Sequence, residues 1–202
     1  VMLFNSNGEM IDLIVSRTSH SSISGEYARL ISVSNNKLAV FEGGGYQKPG
    51  QVTIYDLDST GATFERIIAV TDGYNSTSDV GDILLTDNYL FVGVHYARVA
   101  GSSNYHSTEG QGHVEVFDIN TGSKIRRVEG FGKKRNFGQI IVEDPDTGKI
   151  YVMESTAANQ PNYDPKMHVY NSDMSVKETD FNLDISQSTN SYDTGNRYKI
   201  YN

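Results

Sequence analysis

Residues 137–152 read FGQIIVEDPDTGKIYV. The run opens on Phe137-Gly138, continues through an apolar strand at 140–142, turns at Asp146-Thr147-Gly148 and returns through a second strand from Ile150. Two apolar runs around an Asp/Gly turn spell a β-hairpin. Taken alone, Asp144, Asp146 and Gly148 invite a metal-loop reading. The rest of the chain decides for turn chemistry, because this stretch has relatives before and after it at a nearly fixed spacing.

Gly25, Gly81, Gly138 and Gly195 each stand at the start of a comparable strand, spaced 56, 57 and 57 residues apart. A second series falls later in each unit: Leu3-Phe4-Asn5, Ile54-Tyr55-Asp56, Val116-Phe117-Asp118 and Val169-Tyr170-Asn171. Each is an apolar residue, an aromatic, then Asp or Asn closing a strand. Two independent series at one period identify a repeat protein.

Every full unit reads as four short strands. Strand A follows the glycine (30–33, 83–85, 140–142). Strand B follows a tight turn (38–41, 89–94, 150–153). Strand C ends on the aromatic-Asp step (52–55, 114–117, 167–170), and strand D closes the unit (64–68, 124–128, 176–181). Asp58-Ser59-Thr60-Gly61, Asn120-Thr121-Gly122 and Asn7-Gly8 place Gly where a turn needs positive φ. Four-stranded units with no helical pattern between them predict an all-β chain, a β-propeller of antiparallel blades with a period of about 56–57 residues. A β-sandwich is the alternative, since it also uses short strands, but it requires no repeat. The expected organisation is a single propeller domain or segment over 1–202. It comprises a partial blade of strands C and D at 1–15, blades at 25–69, 81–129 and 138–182, and strand A of a closing or next blade at 195–202. The chain starts at Val1 rather than Met, and three full units are few for a ring, so an excerpt of a longer propeller is the expectation.

Composition narrows the function classes. Net charge is -8 from 17 basic and 25 acidic residues, which argues against a protein working mainly on nucleic-acid phosphates. There are no cysteines, so disulfides and thiolate metal sites are excluded. No apolar run approaches the ~18 residues of a membrane-spanning helix.

Phe137-Gly138 before an apolar strand, Ile150-Tyr151-Val152 after the turn, a long polar loop, then Gly112-His113-Val114-Glu115-Val116-Phe117-Asp118 and Thr121-Gly122 resemble FG-GAP repeats. These are the blades of integrin-α-like propellers and of many bacterial and phage surface proteins. The resemblance covers nearly the whole chain and is strongest over 79–170. Val80-Gly81 and Thr194-Gly195 keep only the glycine of the namesake pair. Many FG-GAP repeats carry a calcium loop of alternating acidic residues. The long loops 43–50, 97–112 and 155–166 have no such ladder. The resemblance therefore implies a calcium-free version, like those of phage virion and tail proteins, and a virion or extracellular, cell-surface location.

Those same B–C loops each carry a tyrosine, Tyr46, Tyr105 and Tyr163, among Gly, Ser, Asn, Gln and Pro. The D–A loops are polar too, and one contains Tyr74. In a propeller both loop sets emerge on one face. Tyrosines amid amide and hydroxyl groups suit adaptable binding surfaces, for protein or for glycan; plain solvated connectors are the bland reading. Residues 124–135 hold Lys124, Arg126, Arg127, Lys133, Lys134 and Arg135 in an otherwise acidic chain. Strand alternation would send Lys124 and Arg126 to one face and Arg127 to the other, with 133–135 on the D–A loop. Such a cluster suits an acidic or phosphate-bearing partner, or serves only to keep an edge strand soluble. His95, His106 and His113 with Glu109 flank one loop, but their spacing matches no metal motif, and polar strand ends explain them. No nucleophile elbow, zinc-protease motif or phosphate-cradling loop is present.

The expectation is a non-catalytic structural and interaction module that docks onto copies of itself or onto other proteins of an assembly. Its binding residues would be Tyr46, Tyr74, Tyr105, Tyr163, Lys133, Lys134 and Arg135. No catalytic set, metal site or cofactor is expected. A glycan-binding module and a propeller hydrolase are the alternatives.

Overall fold

The computed structural model describes residues 1–14, 28–42, 50–70, 79–96, 112–131, 135–156 and 165–183. Their strands are β1 (Met2–Phe4), β2 (Met10–Leu13), β3 (Ala28–Ser34), β4 (Lys37–Glu42), β5 (Gln51–Asp58), β6 (Gly61–Ala69), β7 (Asp79–Leu85), β8 (Tyr89–Tyr96), β9 (His113–Asp118), β10 (Lys124–Glu129), β11 (Arg135–Glu143), β12 (Ile150–Thr156), β13 (Lys166–Tyr170) and β14 (Lys177–Asn182). They form a two-stranded sheet, β1-β2, and three four-stranded sheets in chain order, β3-β4-β5-β6, β7-β8-β9-β10 and β11-β12-β13-β14. All pairings are antiparallel. This is the propeller fold that the repeat predicts. A two-sheet sandwich is ruled out, because the described strands divide into separate sheets that stack one on the next through their A strands, β3 on β7 and β7 on β11.

The core is distributed between sheets. Phe41, Val52, Ile54 and Ile68 of the first blade close against Ile83, Leu90, Val92 and Phe117 of the second. Val114 and Val116 of the second close against Phe137, Ile141, Val152 and Tyr170 of the third. Leu38, Val40 and Tyr55 take the partly buried Val1, Leu3 and Ile14 of the partial blade. Both faces of a blade are therefore apolar, which explains why strands B and C read as near-continuous hydrophobic runs. Each fully buried aliphatic or aromatic side chain contributes about 1.5–3 kcal/mol.

One side-chain acceptor also spans each junction. Asp12 Oδ2 accepts from Ala62 N at 2.9 Å, Ser32 Oγ from Leu85 N at 2.8 Å, and Asp82 Oδ2 from Ile141 N at 2.9 Å. Burial pushes Asp82 up to about 6, against the pull of the Ile141 and Ile83 amides.

Turn chemistry follows the sequence reading. Asp144 accepts from Asp146 N and Thr147 Oγ1, and Gly148 stands at φ 67°. Asp58 and Asp118 hold Thr60 and Thr121 in the same manner. These hydrogen bonds hold all three carboxyls below the usual carboxylate range.

Three details differ from expectation. Gly81 and Gly138 lie inside β7 and β11 rather than before them. Gly138 has φ 86° and falls where the β11–β12 register breaks between Phe137 and Ile141. Arg135 opens β11 instead of ending the D–A loop. Lys124 and Arg126 point to opposite faces, because a register shift between them adds a residue to the strand. Lys124 reaches Glu115 of its own blade at 2.8 Å, whereas Arg126 reaches Asp173 of the next blade at 3.3 Å.

Candidate functional site

Strand C repeats a polar residue two places before its aromatic: Thr53, Glu115 and His168. All three are buried, on the face turned to the preceding blade. Period-2 geometry forces that placement, since Tyr55, Phe117 and Tyr170 share the face. A buried polar group needs partners. Glu115 takes Lys124 from strand D. His168 takes Glu154 from the end of strand B, with Nε2 and Oε2 2.8 Å apart.

The His168 surroundings form the most elaborate cluster among the described residues. Glu154 is fully buried, and its second oxygen accepts from the backbone N of Phe131 at 3.1 Å. Phe131 belongs to the connection between β10 and β11, where the third blade begins. Its ring stacks on the His168 imidazole, centroids 4.5 Å apart and planes 24° apart. Phe137 meets both rings edge-on, at 5.7 Å from His168 and 6.1 Å from Phe131. Lys177 Nζ sits 4.1 Å from the Phe131 centroid, a cation–π contact, and pairs with Asp180. That pairing holds the Asp180 carboxyl below its usual range. Asp180 Oδ2 is 3.8 Å from His168 Nδ1. Burial, with Glu154 and Asp180 adding to it, raises the Tyr170 phenol well above its ordinary value and keeps it protonated.

Close backbone approach makes room for these rings. A Cβ on Gly93 would lie 1.9 Å from the Gly138 carbonyl oxygen, and one on Gly130 would lie 2.6 Å from Phe137 Cβ. The third blade thus sits directly on β8, with Phe137 wedged above glycines.

Chemically, the cluster is a clamp. Both oxygens of Glu154 are engaged, one by an imidazole and one by an amide, so the carboxylate anchors the β10–β11 connection to the third blade. What reaches solvent is Phe131, 54% exposed although stacked and pinned at its backbone. The result is a rigid aromatic platform flanked by Lys177.

Tyr46, Tyr74, Tyr105, Tyr163, Lys133 and Lys134 lie outside the described residues, as do His106 and Glu109. Arg135 is placed in β11 by its backbone only. His113 is buried and stands opposite Val94 rather than His95. Among the described residues, no cluster of three or more His, Asp or Glu is arranged to hold a metal ion, and no helix is long and apolar enough to cross a membrane. The Glu154–His168–Phe131 cluster escaped the sequence reading because its members come from three strands or loops of two blades. Aligning Thr53, Glu115 and His168 was the available signal.

The fold defines the chain as an all-β propeller. Among solved structures it is similar to the Dos1 propeller, with a TM-score of 0.58 and 12% sequence identity over 90% of this chain and 42% of that one. The chain thus spans less than half the length of that protein, and at this identity the likeness concerns the fold. No family model and no curated protein matches the sequence.

Proposed function

We propose that this propeller is a non-catalytic interaction module of a larger assembly, a virion or cell-surface apparatus, built from FG-GAP-like, calcium-free blades. It docks other structural proteins or copies of itself through the face where its B–C and D–A loops emerge. The observation that carries the reading is Phe131, an exposed aromatic held rigid at the root of a D–A connection. Exposed aromatics with few free rotamers make efficient contact anchors, because little entropy is lost on docking. Tyr46, Tyr74, Tyr105 and Tyr163 with Lys133, Lys134 and Arg135 extend the same surface in this reading. The full engagement of Glu154 supports a structural rather than a proton-transfer role for the most buried carboxylate–imidazole pair. Phe137 buried beside the positive-φ Gly138 supports the FG-GAP assignment, since that pair is what allows the close blade-on-blade approach.

Cross-linking of the parent assembly with an amine-reactive reagent tests the proposal. Lys133, Lys134 and Lys177 are expected to link to another protein or a second copy, and Phe131→Ser is expected to weaken that association at temperatures well below its unfolding midpoint, which the lost ring contacts lower by an amount equivalent to about 1–2 kcal/mol. Links confined to one chain, together with undisturbed assembly in Phe131→Ser, would overturn it.

A further inference from the structure

His168 occupies a position that a neutral imidazole fills poorly. Its Nε2 lies 2.8 Å from Glu154 Oε2, and the other Glu154 oxygen accepts from Phe131 N at 3.1 Å. Nδ1 is buried and has no hydrogen-bond partner among the described residues. What faces Nδ1 is a second carboxylate, with Asp180 Oδ2 at 3.8 Å. A neutral ring that donates from Nε2 to Glu154 therefore turns its Nδ1 lone pair towards another acceptor. A second proton, on Nδ1, replaces that opposition with an N–H aimed at a carboxylate. An approach of about 1 Å then completes a charge-assisted bond, since such bonds run to about 2.8 Å.

The same ring is the floor under Phe131, centroids 4.5 Å apart. A cationic ring attracts an aromatic face more strongly than a neutral one, through the aromatic quadrupole. Asp180 connects the two sides of the contact, because it also takes Lys177, whose Nζ lies 4.1 Å from the Phe131 centroid.

The other titratable and charged groups around the clamp are committed elsewhere. Lys177, and more weakly Lys166, favour the ionised form of Asp180. Burial, with Glu154 and Asp180 adding to it, keeps the Tyr170 phenol protonated and so uncharged. Among the described side chains, the second blade turns Asp82, Tyr89 and Arg126 towards the third. Asp82 takes the Ile141 amide, Tyr89 meets the Phe91 ring edge-on, and Arg126 takes Asp173.

We infer, building on Phe131 as a docking anchor, that the clamp is a proton-linked switch: a second proton on His168 tightens its hold on Phe131, and docking at Phe131 strengthens with it. The sign follows from the partners. Two carboxylates and an aromatic face all gain from a cationic ring, so the held state takes the proton more readily than a state in which the ring is released. Docking therefore strengthens as pH falls through the range in which His168 itself titrates.

NMR of the 202-residue chain reads the clamp, and sedimentation of the parent assembly reads docking, both from about pH 5 to about pH 9. As His168 Nδ1 gains its proton, rotation of the Phe131 ring is expected to slow about tenfold, and the assembly to bind about tenfold more tightly with the same midpoint. Asp180→Asn, at a side chain 40% exposed, is expected to fold and to flatten both changes. Three results would overturn the inference: a Phe131 ring indifferent to His168 protonation, an assembly whose pH midpoint differs from that of His168, or pH dependence that survives in Asp180→Asn. Each leaves the docking anchor standing so long as Phe131→Ser still weakens association. Assembly untouched by Phe131→Ser would remove the anchor itself, and the switch with it.

Discussion

The junction ahead of the first full blade and the junction between the second and third blades use the same strand pattern with opposite results. At the later junction Phe137, Ile141, Val152 and Tyr170 are buried, Gly93 meets Gly138 backbone to backbone, and even the polar Glu154 and His168 are sealed. At the earlier one Leu38, Val40 and Tyr55 are buried against Val1, Leu3 and Ile14, but Ile31 and Val33 on the same face are more than half exposed, as are Met2, Phe4, Met10 and Leu13 on the outward face of the partial sheet. The residue types are alike, and the neighbour is what differs. In a repeat protein a blade cannot bury its own faces, so burial belongs to the interface between units rather than to the residue. Stability should be distributed in the same way, concentrated at the closed junctions and thin at the open one.

The largest expected effect concerns the glycine contact. Gly93→Ala drives a Cβ into the Gly138 carbonyl and should cost more than about 3 kcal/mol in urea unfolding. Gly8→Ala at the open end meets nothing within 4 Å and bears only its φ of 81°, so its cost should be about 1 kcal/mol. Comparable losses at the two sites would break the contrast.

Next in size is the clamp. Glu154→Ala leaves a buried imidazole and the Phe131 amide without their acceptor and should cost about 3 kcal/mol. The ring resonances of Phe131 should narrow as the ring gains freedom. Glu9→Ala removes the exposed bond to Asn5 and should change stability by no more than about 0.5 kcal/mol.

A smaller effect should appear with pH. The Asp82 carboxyl has a folded-state pKa of about 6, above its ordinary 3.8. The folded protein therefore binds this proton more tightly than the unfolded chain. The stabilisation is fully present below about pH 3.8 and is lost as pH rises through about 6. The upper bound of the change is about 2–3 kcal/mol. Asp82→Asn, which keeps an acceptor oxygen, should flatten the difference between unfolding midpoints at pH 4 and pH 7. An unaltered pH dependence in that variant would remove Asp82 from the account.

The fold was legible because its two signals are local and repeated: the glycine series and the aromatic-Asp series each survive translation by one period. Strand order and the turns at 58–61, 120–122 and 146–148 follow from those signals, although the carboxylates that hold the last two are Asp118 and Asp144, just ahead of the residues the sequence pointed to. The bulge that separates Lys124 from Arg126 was not legible, since alternation counts residues and a bulge adds one. Gly81 and Gly138 were placed at strand starts because glycine usually interrupts strands. Here Gly138 lets β11 continue while it passes over β8. The clamp was hidden for a different reason: Glu154 and His168 meet across paired strands β12 and β13, and Phe131 reaches them from the β10–β11 connection, a contact that no local pattern encodes. The tyrosine and lysine positions favoured by composition fall outside the described residues, apart from the backbone of Arg135.

The most direct test of the central claim is to compare one substitution at equivalent places in consecutive blades. Ile83→Ala and Ile31→Ala remove the same atoms from the same strand position. If neighbouring blades create the burial, urea unfolding should show Ile83→Ala losing about 2–4 kcal/mol and Ile31→Ala about 0.5 kcal/mol or less. Equal losses at the two positions would contradict the account.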